Sequence, residues 1–240
     1  DPENEIVIAH GPIGGITQYP GAGKSLVVTL SPLTHMPMDS NVGGFFGPYL
    51  KFSGFDALEL QGKAEKDVII YIDGNKGIVQ IMESDIEEKD SHLISEILTE
   101  RFAKDEEDKL NVSVVSTGSA ADHTLVGLLN FSFYDLRRKA VRLKQAGRGG
   151  IGTVFRDKKI KALVVRFEGT KGNLNNPADQ GKINRTGIKL HKEICDLDDK
   201  QNRMRKIGTA NIIEVMDQYD LLPTHNYKYG SHKDTYKISS

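Results

Sequence analysis

The sequence predicts an α+β fold: a strand-rich part over residues 1–168 and a helical part over residues 177–240. Three observations predict it. Short runs rich in Val, Ile and Leu, each bounded by turn residues, recur up to residue 167. Beyond residue 177 the apolar spacing widens to three and four, the period of a helix face. Between them lies "NLNNPADQ", a loop and helix-cap signal, which puts a boundary at 169–176.

In chain order, the β-branched runs predict strands at 5–9, 26–30, 57–61, 68–72, 78–82, 112–116, 125–129 and 162–167. "DGNKG", 73–77, joins two of them as a hairpin, because Gly and Asn tolerate positive φ. Leu93, Ile94, Ile97, Leu98 and Phe102 line one face of a helix behind Ser91, its expected N-cap. Residues 133–145 are the second helix candidate, a very basic one. In the second part, Ile183, Leu190 and Ile194 predict a helix despite Gly187, and Ile212, Ile213, Met216 and Tyr219 predict another behind Thr209. The helical part is too small to bury its own apolar stripes and reads as the start of a second, incomplete domain.

The chain has 240 residues, 38% hydrophobic and 27% charged, enough to bury a core without disulfides. Its formal charge of −1 offers no field for nucleic acid or an anionic membrane. The longest apolar runs, such as 68–71, are strand-sized and far short of a bilayer. Cys195 is the single cysteine, so no disulfide framework forms within one chain; it reads as a buried or half-buried helix thiol and fits a reducing compartment. No histidine pair has the H-x-x-x-H metal spacing. The chain opens on Asp1 directly before a strand, which reads as a missing natural N-terminus and leaves targeting illegible.

Three glycine-rich stretches carry the chemistry. "YPGAGKSLVVTL", 19–30, ends its turn on Gly23-Lys24-Ser25, like a nucleotide-binding P-loop. That motif needs a glycine where Gln18 stands and a helix afterwards, whereas "LVVTL" is strand-forming, so the phosphates would meet no helix N-terminus. Lys24 is then either a solvated hairpin lysine or the cation of a different anion site. "DSNVGGFFGPYLKFSGFDALEL", 39–60, places Asn41, Gly43 and Gly44 around two phenylalanines. It reads equally as a backbone that lets a ligand approach and as a bulged strand with a hydrophobic plug. "RRKAVRLKQAGRGGIGTVFRDKKIKALVV", 137–165, runs six basic residues between 137 and 148 into a glycine turn. Exposed N–H groups with mobile cations suit a phosphate, although a solvated basic face has the same composition. No aromatic platform accompanies the run, which argues against nucleic acid.

Taken together, these motifs resemble the N-terminal domain of the aldehyde ferredoxin oxidoreductase family, tungsten or molybdenum bis-pterin enzymes. The matches come in chain order: "DPENEIVIAHGPIGG", "GKSLVVTLSPLTH", "SNVGGFFGPYLKFSGFDALELQGKAEKDVIIYI", "QAGRGGIGTVFRDKKIKALVV" and "GTANIIEVMDQYDLLPTHNYKYG". They cover essentially the whole chain, but only about the first third of a family member. The resemblance implies two packed β-sheets forming a base for a paired pterin whose two phosphates share a magnesium ion. By the matched motifs, Lys24 stands where the family has an arginine beside the cofactor and the iron–sulfur cluster, and Lys144 where a second arginine binds pterin. Gly43 stands where a glycine meets a pterin. Asn41 and Gln145 stand where backbone carbonyls reach the magnesium. Ala146 and Arg148 complete the cofactor-binding turn. The implied reaction converts an aldehyde and water to a carboxylic acid, with two electrons leaving through a 4Fe–4S cluster to ferredoxin or another electron-transfer subunit. A cytoplasmic location and a homodimer follow from the same resemblance. The rivals are reduction of an aromatic acyl-CoA thioester and a cofactor-free binding or assembly subunit.

Two departures stand out. Both arginines are lysines, which keep the charge but lose the planar fork. The family's Gly-Pro-Ala-Gly-Glu-Asn turn is replaced by "TGSAADHTL", 117–125, with Asp122 and His123 where Glu and Asn are expected. The four cluster cysteines of the family lie beyond the matched region, and Cys195 is not in their motif. No catalytic acid or base is assigned.

Overall fold

The computed structural model describes residues 2–168, 177–197 and 199–239. The chain divides into two compact units, residues 1–183 and 184–240. The boundary expected at 169–176 lies outside the described residues.

The first unit is built on two β-sheets. Strands β1 (Ile6–His10), β2 (Ser25–Leu30), β3 (Pro37–Val42) and β4 (Ala57–Leu60) form an antiparallel sheet in the order β3-β2-β1-β4. Strands β5 (Val68–Asp73), β6 (Ile78–Glu83), β7 (Val112–Ser116), β8 (Leu129–Asp135), β9 (Ala140–Ala146) and β10 (Ile160–Arg166) form a second sheet in the order β6-β5-β10-β7-β8-β9. Within it β5 and β10 pair in parallel and the other neighbours are antiparallel. Three helices pack on this frame: α1 (Phe46–Phe52), α2 (Ser91–Phe102) and α3 (Ile151–Asp157).

Alternation along the central strands builds two cores, because successive side chains point to opposite faces. Ile70 and Ile72 of β5, with Leu163 and Val165 of β10, join Ile6, Ile8 and Val27 of the other sheet and Phe46, Leu50, Ile151 and Phe155 of α1 and α3. Phe46 meets Phe131 edge to face, with ring centres 5.5 Å apart. The other face, Ile69, Tyr71, Ala162 and Val164, packs on Ile94 and Leu98 of α2. Asp90, not the expected Ser91, caps that helix: its carboxylate accepts from the backbone N–H of His92 (2.8 Å) and Leu93 (3.1 Å).

The structure corrects several expectations. Residues 133–145 are not a helix but most of the hairpin β8–β9. The strand expected at 125–129 begins only at Leu129. Strand β3, helix α1 and helix α3 go unpredicted. In α1 the helix-breaking Pro48 sits in the first turn, where its missing N–H has no intrahelical partner to lose.

In the second unit the described elements are α4 (Gln180–Cys195), which begins in the first unit, α5 (Asp199–Ile207) and α6 (Ile213–Gln218). Helix α5 was not predicted. Cys195 is exposed, contrary to expectation, because it lies on the final, solvent-facing turn of α4. The Asp217 carboxylate accepts from His232 N–H (2.9 Å) and Thr235 Oγ1 (2.8 Å), tying the C-terminal loop to α6.

Candidate cofactor-binding site

The candidate residues occupy two sheet edges and the turns beside them. Lys24 directly precedes β2 and is exposed. Strand β3 lies next to β2, with Leu26 opposite Asn41 and Ser25 opposite Val42. The Gly43-Gly44 link that follows β3 therefore runs back beside Lys24. Lys144, Gln145 and Ala146 end β9, and Arg148 lies in the turn before α3. Strand β3 is an edge of the four-stranded sheet and β9 an edge of the six-stranded one. Each leaves a row of backbone groups outside its own ladder.

Close approaches bring these edges together. A Cβ on Gly23 would stand 3.8 Å from the Gly44 carbonyl oxygen, and one on Gly44 3.7 Å from Lys144 Cγ. The Arg148 N–H donates to Ser40 Oγ at 3.3 Å. A Cβ on Gly149 would stand 2.8 Å from Met38 Cβ. All three glycine-rich stretches thus converge. Asn41, Lys144, Gln145 and Arg148 are exposed, and Ala146 is buried, so it can offer only backbone. Cβ positions at Gly43 and Gly147 meet nothing within 4 Å, which leaves those backbone faces open to a ligand.

The Gln145 side chain is held by Asn130, whose Oδ1 accepts from Gln145 Nε2 at 3.3 Å while its amide donates to Ser91 Oγ at 2.8 Å. In the replaced 117–125 turn, Asp122 pairs with Arg156 of α3 at 3.0 Å, and Arg156 also pairs with Asp67 at 2.8 Å. Asp122 is thereby committed to holding that turn against α3.

Two features escaped the sequence reading. Phe45 stacks on Tyr49 (ring centres 5.8 Å apart) and meets Phe133 edge-on (5.9 Å), and Lys144 Nζ sits 5.8 Å from the Phe133 ring centre. This row runs from the Lys144 cation into a cleft of about 420 Å3 walled by Ile16, Pro48, Tyr49, Phe52 and Tyr134 and bordered by Gly23 and Gly44. The spacing of Phe45 and Tyr49, four apart, is the signal that could have disclosed both helix α1 and its aromatic face. The second feature is His10, buried at the end of β1 beneath the turn that carries Lys24.

Residues 1–167 match the family model described as the aldehyde ferredoxin oxidoreductase N-terminal domain. The chain belongs to the aldehyde ferredoxin oxidoreductase family. Among relatives, it is 35% identical to the tungsten-containing aldehyde ferredoxin oxidoreductase of Pyrococcus horikoshii, over 99% of this chain and 36% of the relative. It is 27% identical to the glyceraldehyde-3-phosphate:ferredoxin oxidoreductase of Pyrococcus furiosus, over 75% of this chain and 29% of that one. Among solved structures it resembles the active-site complex BamBC of benzoyl coenzyme A reductase in complex with 1,5-dienoyl-CoA. There the TM-score is 0.55 and the identity 30%, over 69% of this chain and 23% of the other. The chain thus spans about a third of the length of the curated relatives it matches, 36% for that of P. horikoshii. Among the described residues no helix is long and apolar enough to cross a membrane.

Proposed function

We propose that this chain is the cofactor-cradling part of a tungsten or molybdenum bis-pterin oxidoreductase, with the beginning of a helical domain from residue 177. The observation that carries the reading is the convergence of Lys24, the Gly43-Gly44 link and Lys144 where two sheet edges meet. The donor set fits a bulky, anionic, planar guest. Glycine backbones stay open at Gly43 and Gly147, three cations (Lys24, Lys144, Arg148) flank them, and edge-strand carbonyls at Asn41 and Gln145 suit a hard cation such as magnesium. When bound, that cofactor supplies the two-electron chemistry that converts an aldehyde and water to a carboxylic acid, two protons and two electrons, the electrons leaving through a 4Fe–4S cluster to ferredoxin.

This chain's own residues bind and orient. Lys24 and Lys144 neutralise charge on the guest as point cations without the bidentate grip of arginine. Asn41 and Gln145 would offer backbone carbonyls to a magnesium ion held with the cofactor. The Asn130 hydrogen bond fixes the Gln145 side chain and with it the end of β9.

Metal and pterin analysis of the full-length protein, purified without oxygen, tests the reading. About one tungsten or molybdenum and about four irons per chain, with extractable pterin, are expected. Their absence would make the protein a cofactor-free binding or assembly subunit. The likeness to benzoyl coenzyme A reductase favours a second reading on the same cradle, reduction of an aromatic thioester. Turnover of aldehydes with ferredoxin against turnover of aromatic thioesters separates the two.

A further inference from the structure

We propose that His10 is a positioning residue of this cradle: its neutral imidazole, wedged between Gly14 and Gly47, latches the turn that carries Lys24, and a proton on the ring releases it. The consequence for the cofactor rests on the function proposed above; the latch rests on geometry alone.

His10 ends β1 and is only 6% exposed, yet neither ring nitrogen makes a hydrogen bond of normal geometry, although the backbone at Lys24 and Ala22 faces the ring. A buried imidazole without a well-formed hydrogen bond calls for an explanation. Two glycines make room for the ring. A Cβ at Gly14 would stand 1.9 Å from its Cδ2 and 2.1 Å from its Nε2, and a Cβ at Gly47 2.6 Å from its Nδ1. Neither glycine has a left-handed φ, so the space for the ring, not the backbone, is what requires glycine there. Ser25, directly across from His10, sends Oγ into the same space, 2.1 Å from the Gly47 Cβ position, and Lys24 is the next residue. The ring thus touches both walls that define where Lys24 stands: the 11–24 turn through Gly14, and α1 through Gly47.

The charged surroundings are sparse. On α1, Lys51 faces the ring and is paired with Asp56, whose carbonyl accepts the His10 backbone N–H at 3.0 Å. At the start of β2 stands Lys24. The turn from Gly11 to Gly23 contains no acid and no base, with Tyr19 its single ionisable side chain. The backbone at Lys24 and Ala22 faces the ring and favours a proton on it, but burial, reinforced by the Lys51 charge, holds the imidazole below its usual range. A proton gained on the ring therefore meets the Lys51 charge, and the nearby Asp56 carboxylate is already paired with Lys51. The turn is the part that can yield: its internal backbone bonds, Gly14 N–H to Gly11 O, Ile16 N–H to Ile13 O, Tyr19 N–H to Ile16 O and Gly15 N–H to Ala22 O, are short-range.

The test is amide hydrogen exchange of the full-length protein between about pH 7.5 and about pH 5, read as protection factors at 12–24 against β5 and β10. In the wild type, protection at 12–24 should fall about tenfold per pH unit through the lower half of that range while β5 and β10 hold steady. In His10→Gln, neutral and of similar size, the pH dependence at 12–24 should vanish. Gly14→Ala should loosen the turn at every pH. The latch is overturned if His10→Gln keeps the wild-type profile, if the wild type shows none, or if β5 and β10 lose protection along with the turn. Should His10→Gln not fold, a wild-type profile surviving in Gly14→Ala, which displaces the ring, overturns it equally. Pterin content measured on the same samples separates the two readings: an intact latch without pterin at any pH sinks the cofactor assignment and leaves the latch standing.

Discussion

At the scale of single residues, charge placement separates the site from the scaffold. Lys24 and Lys144 are exposed, and on the reading proposed here their charge is directed at a guest. Lys24→Arg should retain or improve pterin retention in the full-length protein, since it restores a planar fork, and Lys24→Glu should lose it. Equal pterin content in both variants would make Lys24 an ordinary surface lysine. Arg166 is the opposite case. It is 5% exposed, and its guanidinium donates to Asp108 Oδ2 at 2.8 and 3.1 Å. Burial pushes the Asp108 carboxyl up, but hydrogen bonds from Asn111, Arg166 and the Lys104 N–H outweigh it and hold the carboxyl below its usual range. A depressed carboxyl contributes stability that is complete above its unfolded value, about pH 4, and is lost as pH falls below that. Asp108→Ala leaves the buried guanidinium with Glu168 as its remaining carboxylate and should cost about 1.5–3 kcal/mol, the worth of a charged hydrogen bond, in urea unfolding at pH 7. The deficit should begin to shrink as pH falls below about 4, where the unfolded carboxyl takes up a proton that the paired one resists.

Among elements, the β8–β9 hairpin shows where the sequence is legible and where it is not. The strands at β5, β7 and β10 are readable because both faces are buried and the apolar run is continuous. Helix α2 is readable because one face is apolar at helix spacing. Strand β9 does not read as a strand because it is an edge strand whose exposed face carries Arg142 and Lys144, and that charge masks the alternation of Val141 with its neighbours. The turn explains the rest of the basic run. The Asp135 carboxylate accepts from the N–H of Arg137 (3.1 Å) and Arg138 (3.2 Å), and Lys139 takes a left-handed φ of +48°. The candidate site was legible only as three separate glycine turns, because their convergence depends on which sheet edges meet. Asp135→Ala should lower stability by about 1 kcal/mol through loss of the side-chain turn. Lys139→Gly should raise it by about 0.5–1 kcal/mol by relieving the left-handed backbone. Thermal unfolding measures both, and a gain from Asp135→Ala would show that the turn is held elsewhere.

For the first unit as a whole, the edge of one sheet abuts the edge of another where the proposed cradle lies, and a single residue tests that contact. Gly149 has φ +72°, and a Cβ there would stand 2.8 Å from Met38 Cβ on β3. Gly77, in the hairpin between β5 and β6, has a similar φ of +66° with nothing within 4 Å of its Cβ position. Alanine at Gly77 therefore meets backbone strain alone, about 1–2 kcal/mol. Alanine at Gly149 meets that strain plus a clash across the two edges, which overpacking of this kind raises by about 1–3 kcal/mol. The difference between the variants isolates the contact, since the strain is common to both. If the edges bear on each other, Gly149→Ala is the less stable protein and, on the function proposed here, also the one that loses pterin, because it pushes β3 away from the 147–149 turn. Gly77→Ala keeps its pterin, being remote from both. Equal stability and equal pterin content in the two variants would mean that the edges merely lie side by side and that the cradle is shaped by other parts of the molecule.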